Sequence, residues 1–406
     1  MGDMRILGEF DVGTARNHFP ALHQRQIFFD NTGGSQTLGS VISSISNYLS
    51  RTNVQLGATY DVGRKSSAAF KAGYDAAAKY INASPEETVF GASTTQLLRN
   101  LSFAIDFSPG DEIIISIVDH EANIAPWVGI ASRQNLTVKW WIPRGKSNPK
   151  LCVEDLRHLL SERTKLVTCT HVSNILGSIH DIKGIGEAVH KNSNALLCVD
   201  GVAFAPHRRI NVKELGVDFY VFSWYKVYGP HISMLYASHH AQKSLVSFGH
   251  YFNPTETLLD KIGLAASNYE LSQTIPHVVA YFGPDLNLAW RKIGEHEFAI
   301  VETLLFYLRS RLDVTIYGES VADTKLRVPI VSFSVNGYGS REVVEKIEKE
   351  TDFGFRWGMM YSNRLIKEIL GLDDEGVVRV GMAHYNTVDE IRLFIKIFDE
   401  IIPQKQ

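Results

Sequence analysis

The sequence predicts an α/β protein: a large domain with a mainly parallel central sheet, followed by a smaller C-terminal α+β domain. Three observations predict it. The chain has 406 residues, 45% of them hydrophobic, which is enough for a large buried core and a smaller second one. Short apolar runs such as ALLCVD and DFYVFSWY read as strands buried within a parallel sheet. From about residue 315 onward, strands and helices succeed one another in a compact α+β pattern. The expected division is an N-terminal arm over 1–25, a large domain over 26–284 and a small domain over 285–406.

In chain order, VGTARNHFPAL is helix-like and leads to the strand QIFFD. The turn NTGGSQ follows, where Gly33 and Gly34 admit backbone angles that other residues avoid. VISSISNYLSRT and SAAFKAGYDAAAKYINA carry helical periodicity, and SPEE opens on a capping serine. TVFGASTTQLLRNLSFAI reads as strand, turn and helix, with Thr94 and Thr95 at the helix start. EIIISIVDHEANIAPW predicts a strand ending at His120, and KLVTCTHVSNILGSIHDI another that precedes Asn174. HISMLYAS closes the large domain as a strand, and NLAWRKIGEHEFAIVETLLFYLRSRL is a long helix bridging the domains. In the second domain LRVPIVSFSV, FGFRWG and VVRVGMAHY are strands, alternating with helices SREVVEKIEKET, NRLIKEILGL and VDEIRLFIKIFDEII.

Asp200 ends one apolar run and Lys226 follows another. In open α/β sheets ligands sit beyond the carboxyl ends of the strands, so both side chains are expected in one crevice. Taken singly they are as readily a turn cap and a solvated lysine. Together they suit pyridoxal phosphate: the lysine holds the cofactor aldehyde as a Schiff base, and the acid keeps the pyridine nitrogen protonated. Burial lowers such a lysine's pKa and makes it a nucleophile and base. Thr94 and Thr95 are either a simple N-cap or, with the free N–H groups of their helix, a phosphate site. His120 is a structural histidine or a ring that stacks on the pyridine and moves protons. Asn174 is a turn former by the plain reading. Arg379 is a surface arginine, or the fork for a carboxylate.

Ser-x-x-Lys-x-x-Gly-Pro at Ser223 to Pro230, and Asp-Gly-x-x-x-x-Pro-His at Asp200 to His207, resemble the lysine and aspartate motifs of the class V aminotransferase family. That family belongs to the fold-type-I pyridoxal-phosphate enzymes and includes the cysteine desulfurases. The likeness runs from FFDNTGG to HYNT. It implies catalytic roles for Lys226, His120 and Asp200, and a cofactor shell of Thr94, Thr95, His120, Asn174, Asp200, Ser223, Tyr225 and Lys226. By the same resemblance His120 stacks on the ring, Asn174 bonds the cofactor's phenolic oxygen, and the glycine turn lies near the substrate carboxylate, which Arg379 holds. Arg356 and Tyr361 are further substrate contacts, and His384, Tyr385 and Asn386 line the pocket. A homodimer with active sites at its interface is implied as well, with Asn268 reaching the neighbouring subunit.

The departures matter more than the matches. Glu121 replaces a histidine, Ala203 a glutamine and Tyr225 a histidine, although the Tyr225 hydroxyl can still donate to the phosphate. In Arg356-Trp357-Gly358-Met359-Met360-Tyr361, the tyrosine stands where desulfurases carry their persulfide-forming cysteine. A phenol cannot hold persulfide sulfur, and the three cysteines, Cys152, Cys169 and Cys198, all lie in the first half of the chain. The likeness is therefore to the desulfurase-like enzymes without that cysteine. Chemistry at the α-carbon of an amino acid is expected, through an external aldimine and quinonoid. C–S bond elimination ranks first, then epimerisation or a cyclisation of the fungal loline type on a substituted amino acid, then transamination. A non-catalytic scaffold that binds the cofactor is the reading from another class.

Composition excludes other classes. Forty-one basic against 44 acidic residues, with no basic run, argues against nucleic acid and anionic membranes as partners. MGDMRILGEFDVG is acidic and lacks the apolar core of a signal peptide, and Ile6 stands where a myristoylation signal needs Ser or Thr. No apolar run approaches membrane-spanning length. The cysteines form neither a CxxC motif nor a disulfide framework, no metal site is expected, and a reducing cytoplasmic setting fits.

Overall fold

The computed structural model describes residues 10–248 and 257–405. Its strands are β1 (Ile27–Phe28), β2 (Thr88–Gly91), β3 (Glu112–Ser116), β4 (Thr137–Trp141), β5 (Thr164–Thr170), β6 (Leu196–Asp200), β7 (Phe219–Ser223) and β8 (Ser233–Ala237). They are followed by β9 (Val314–Tyr317), β10 (Ile330–Val335), β11 (Phe353–Gly354), β12 (Arg356–Gly358) and β13 (Val377–Gly381).

Apolar residues on both sides of a strand require cover on both sides. Every residue of β6, β7 and β8 is buried, as strands of a sheet covered by helices on both faces should be. The central sheet has the order β2-β8-β7-β6-β5-β3-β4. All pairs from β7 to β4 are parallel, while β8 runs antiparallel to both β7 and β2. Alternate residues feed two cores. Val167, Leu197, Val199 and Phe222 face one, with Tyr74, Ala77, Ile185 and Val189 from the helices Asp61–Tyr80 and Ile182–Asn192. Leu166, Cys198 and Val221 face the other, with Leu97, Leu101, Trp127 and Ile130 from the helices Thr94–Ala104 and Ala125–Gln134. At roughly 1.5–3 kcal/mol for each large apolar side chain removed from water, these two layers make the sheet the rigid part of the molecule.

The second sheet is antiparallel, in the order β12-β13-β10-β9. Helices Leu286–Ser310, Ser340–Glu350 and Val388–Ile401 cover it through Leu304, Leu308, Val344, Ile347, Phe394 and Phe398. Residues 27–28 reach across to pair with β11 in parallel.

Several elements differ from expectation. β3 stops at Ser116, and His120 lies in the connection beyond it, where it opens the turn Glu121–Asn123. The run FGFRWG splits: Phe353–Gly354 pairs with β1 and Arg356–Gly358 with β13. NRLIKEILGL narrows to a π-helical turn at Leu365–Ile369. The helix Ala125–Gln134 and strand β4 emerge from sequence with little periodicity. β4 is an edge strand whose Thr137 is exposed, so its composition is mixed.

Candidate active site

One cleft opens at the carboxyl ends of β5, β6 and β7. Lys226, Asp200, Asn174, Tyr225, Ser223, His120, Thr94 and Thr95 all contribute to its walls, so the eight residues expected around a cofactor are brought together. Each arrives by a short connection from a buried strand or helix start. Asp200 is the last residue of β6, and Lys226 sits in the tight link from β7 to β8, whose ends pair as Ser223 and Ser233.

The lysine is enclosed. Burial and the nearby Arg379 cation push its pKa down to about 8, against the opposing pull of Asp200 and Asp30. Among the described residues no hydrogen bond reaches its Nζ, which lies 5.9 Å from the centre of the Tyr225 ring. Asp200 is pushed up to about 6 by burial, partly offset by the Val202 amide and by Lys226. Its Oδ1 accepts from Val202 N at 2.9 Å; no described donor occupies Oδ2.

At the other end, Ser93 caps the helix Thr94–Ala104 by accepting from Gln96 N at 3.1 Å. Thr94, Ser223 and Ser233 form a closed hydroxyl cluster with contacts of 2.7, 2.7 and 3.2 Å. Thr95 is exposed beside it. His120 Nδ1 accepts from Ala122 N at 3.1 Å, which places the neutral ring's proton on Nε2. Burial, with the charges of Lys226 and Arg379, brings this ring down to about 4. The connection holding it is fixed by Asp119, which accepts from Asn123 Nδ2 at 2.6 Å and from Thr170 N at 3.0 Å. Burial raises Asp119 to about 7, against hydrogen bonds from Ser116 and Asn123.

The substrate-side residues are arranged less simply. Arg379 is buried; its Nη2 meets Asp30 Oδ1 at 2.8 Å, its Nη1 meets Asn174 O at 3.1 Å, and its Nε is unpartnered. Arg356 lies opposite Arg379 in the β12–β13 register and bonds Asp30 Oδ2 through Nε at 2.9 Å. It is half-exposed and outside the cofactor cleft. Tyr361 is also outside that cleft, 70% exposed, with its ring 5.3 Å from that of His120. Met360 and Tyr361 hold φ of 45° and 61° in succession, a left-handed conformation that costs roughly 1–2 kcal/mol per residue. Asn174 Nδ2 on Met360 O at 3.0 Å and Glu121 N on Tyr361 O at 2.8 Å pin them.

One expectation is corrected here, that for residues 384–386. The Asn174 amide is turned to the 360–362 loop, where its Oδ1 also accepts from Ser362 Oγ at 2.8 Å, although the residue still borders the cleft. His384, Tyr385 and Asn386 do not line it. Tyr228 donates to Pro206 O at 2.6 Å, so His384 Nδ1 must donate to Tyr228, at 2.9 Å, and its Nε2 accepts from Tyr281, at 2.6 Å. That chain of buried groups lies behind the lysine turn. Asn268, expected to reach a neighbouring subunit, starts the short helix Tyr269–Ser272 and is not part of this chain's own cleft walls. Asp30 and Asp119, which organise both halves of the site, carry no local signal beyond standing at the end of an apolar run.

The model of the Aminotransferase class-V family matches residues 27–394. The chain belongs to the class-V aminotransferase family. It is 53% identical over 397 residues to the aminotransferase-like protein FGM3 of Gibberella zeae, covering 97% of this chain and 99% of that one. It is 37% identical over 401 residues to the cysteine desulfurase-like protein ustD of Aspergillus flavus, covering 97% and 91%. The fold is that of the cysteine desulfurase of Thermococcus onnurineus, with a TM-score of 0.87, 24% identity and 99% of each chain covered. As a class-V aminotransferase the protein is a pyridoxal-phosphate-dependent enzyme of fold type I. The donor set fits that cofactor: an amine and a carboxylate oxygen left without protein partners, a flat neutral imidazole, and hydroxyls at a helix start.

Proposed function

We propose that this enzyme labilises the α-hydrogen of an amino acid, and that its reaction does not pass through a protein-bound persulfide. The enclosed, unbonded Lys226 beside Asp200 carries this reading. Bound there, pyridoxal phosphate supplies an electron sink for the α-carbon. Lys226 would hold the cofactor and, once free, would take the α-proton at Nζ, a role that a pKa near 8 suits. Asp200 Oδ2 holds a proton at the ring nitrogen. His120, uncharged, would stand beside the ring, and Ala203 lines the cleft with Val202. Ser93, Thr94 and Thr95 hold the phosphate. Arg379, steadied by Asp30, orients the substrate carboxylate so that the bond to be broken lies across the ring. The active form is a homodimer.

Expulsion of a sulfur substituent is the first reading of the later steps. With Tyr361 at the mouth, the sulfur leaves as a free product and is not captured by the protein. The groove running outward from the same mouth favours a second reading, bond formation or epimerisation on a bulky substituted amino acid.

The test is to reconstitute the protein with pyridoxal phosphate, reduce it with borohydride and map the peptides. A pyridoxyl group on Lys226 is expected. Deuterium exchange at the α-carbon, followed by NMR across cysteine, cysteine conjugates and bulky cyclic amino acids, then identifies the substrate, and product analysis separates elimination from bond formation. Label on another lysine, or undiminished exchange in Lys226→Ala, overturns the proposal.

A further inference from the structure

Two helices lead away from the cofactor cleft. Thr94–Ala104 and Ala125–Gln134 both have their first turns at the cleft end, and between them runs an open groove. One wall carries Thr95, Arg99 and Phe103; the other carries Ala125, Gly129 and Arg133. Both sets are spaced i, i+4, i+8, so each is a single stripe along its helix, about 12 Å long at 1.5 Å per residue. Thr95, His120, Ala122 and Tyr225 border the groove and the cofactor cleft alike, so the two are continuous.

The chemistry changes along the groove. Its inner part is bordered by small and aromatic side chains, including Ala122, Pro126 and Tyr361. Its middle and outer parts hold the guanidinium groups of Arg99 and Arg133. The latter stacks on the exposed Phe103 ring, 4.7 Å from its centroid. Among the described residues neither arginine is in an ion pair, and the one acid in the lining, Glu121, lies at the inner end, 3.6 Å from Arg364. Gly129 opens the floor: a Cβ built there meets only the far end of Arg133, at 3.9 Å.

We propose that this groove binds the distal part of an extended substrate, an apolar body of about 10 Å ending in a carboxylate, whose other end reaches the cofactor. The inference rests on the amino-acid reading above and extends it. The cleft takes the reacting carbon, and the groove selects molecules too long for the cleft alone. Two unpaired arginines along an otherwise acid-poor wall give the charge complementarity, and the aromatic and small side chains take the apolar stem.

The experiment is calorimetric titration of the holoenzyme with 5-phenylpentanoate and with 5-phenylpentanol. The carboxylate should bind at least about tenfold more tightly than the alcohol, and Arg99→Ala and Arg133→Ala should each weaken it about fivefold or more. Gly129→Leu, which fills the floor and favours the helix, should abolish binding of both. All three variants should keep the borohydride-trapped pyridoxyl group on Lys226. Equal binding of acid and alcohol, undiminished binding in the arginine variants, no binding by the wild type, or a change in sedimentation mass in the arginine variants, which would make this face a contact between copies, overturns the proposal. A wild type that takes the probe as described but lacks pyridoxyl on Lys226 instead refutes the cofactor reading and leaves the groove standing.

Discussion

Arg327 and Lys226 are both enclosed cations, and the fold treats them in opposite ways. Arg327, in the loop before β10, is 1% exposed and gives its guanidinium hydrogens to the carbonyls of Glu319, Val328 and Ile330. Burial draws it down to about 10, yet carbonyl oxygens answer its nitrogens. Lys226 is drawn down by a similar amount, to about 8, and among the described residues is given no hydrogen bond. A buried charge saturated by carbonyls fastens a loop. One left unsaturated at the end of a parallel strand is a candidate for chemistry, the role proposed for Lys226.

The comparison can be broken at either end. The largest effect expected is on Lys226→Ala, which should lower α-hydrogen exchange by about 10⁴ with no loss of thermal stability, as read by NMR exchange and calorimetry on the same sample. Arg327→Met should do the converse. Removing the guanidinium donors to the Glu319 and Ile330 carbonyls should cost about 2–4 kcal/mol in denaturant unfolding, while exchange per folded molecule is unchanged.

Smaller effects sharpen it. Because Lys226 falls from 10.5 to about 8 on folding, its ammonium penalises the folded apoprotein fully below pH 8, and the penalty fades as pH rises toward 10.5. The melting-temperature advantage of Lys226→Met should therefore be greatest at neutral pH and vanish by about pH 10.5. Covalent attachment of the cofactor, which needs the neutral amine, should quicken through pH 8. Least of all, Tyr281→Phe removes the donor to His384 Nε2 and should cost about 1 kcal/mol, with pyridoxyl attachment unaffected. A large effect on attachment would show that the buried chain behind the lysine turn is part of the machinery.

The residues that line the cleft were legible as a group because they sit in two tight local patterns, Asp200 to His207 and Ser223 to Pro230, and at strand or helix ends that apolar runs announce. The substrate half was legible only in part. Arg379 stands out in VVRVG, but Asp30 meets it across 349 positions, and nothing in FFDNTGG tells that the carboxylate turns toward two arginines. The same distance hides the split of FGFRWG, since its first residues pair with β1 from the far end of the chain. Asn174 borders the cleft as expected, and its amide is bonded to the carbonyl of the strained Met360, a contact that no local pattern announces.

The topology also sets an order in time. All walls of the cofactor cleft lie between Ser93 and Lys226, on strands β2 to β8 whose pairings are complete by Ala237. The arginine arrangement requires residue 30 to meet residues 356 and 379. A chain leaving the ribosome therefore carries every wall of the cleft well before Asp30, Arg356 and Arg379 can meet. On the proposed roles, the part of the site that would hold the cofactor is synthesised before the part that would hold the substrate.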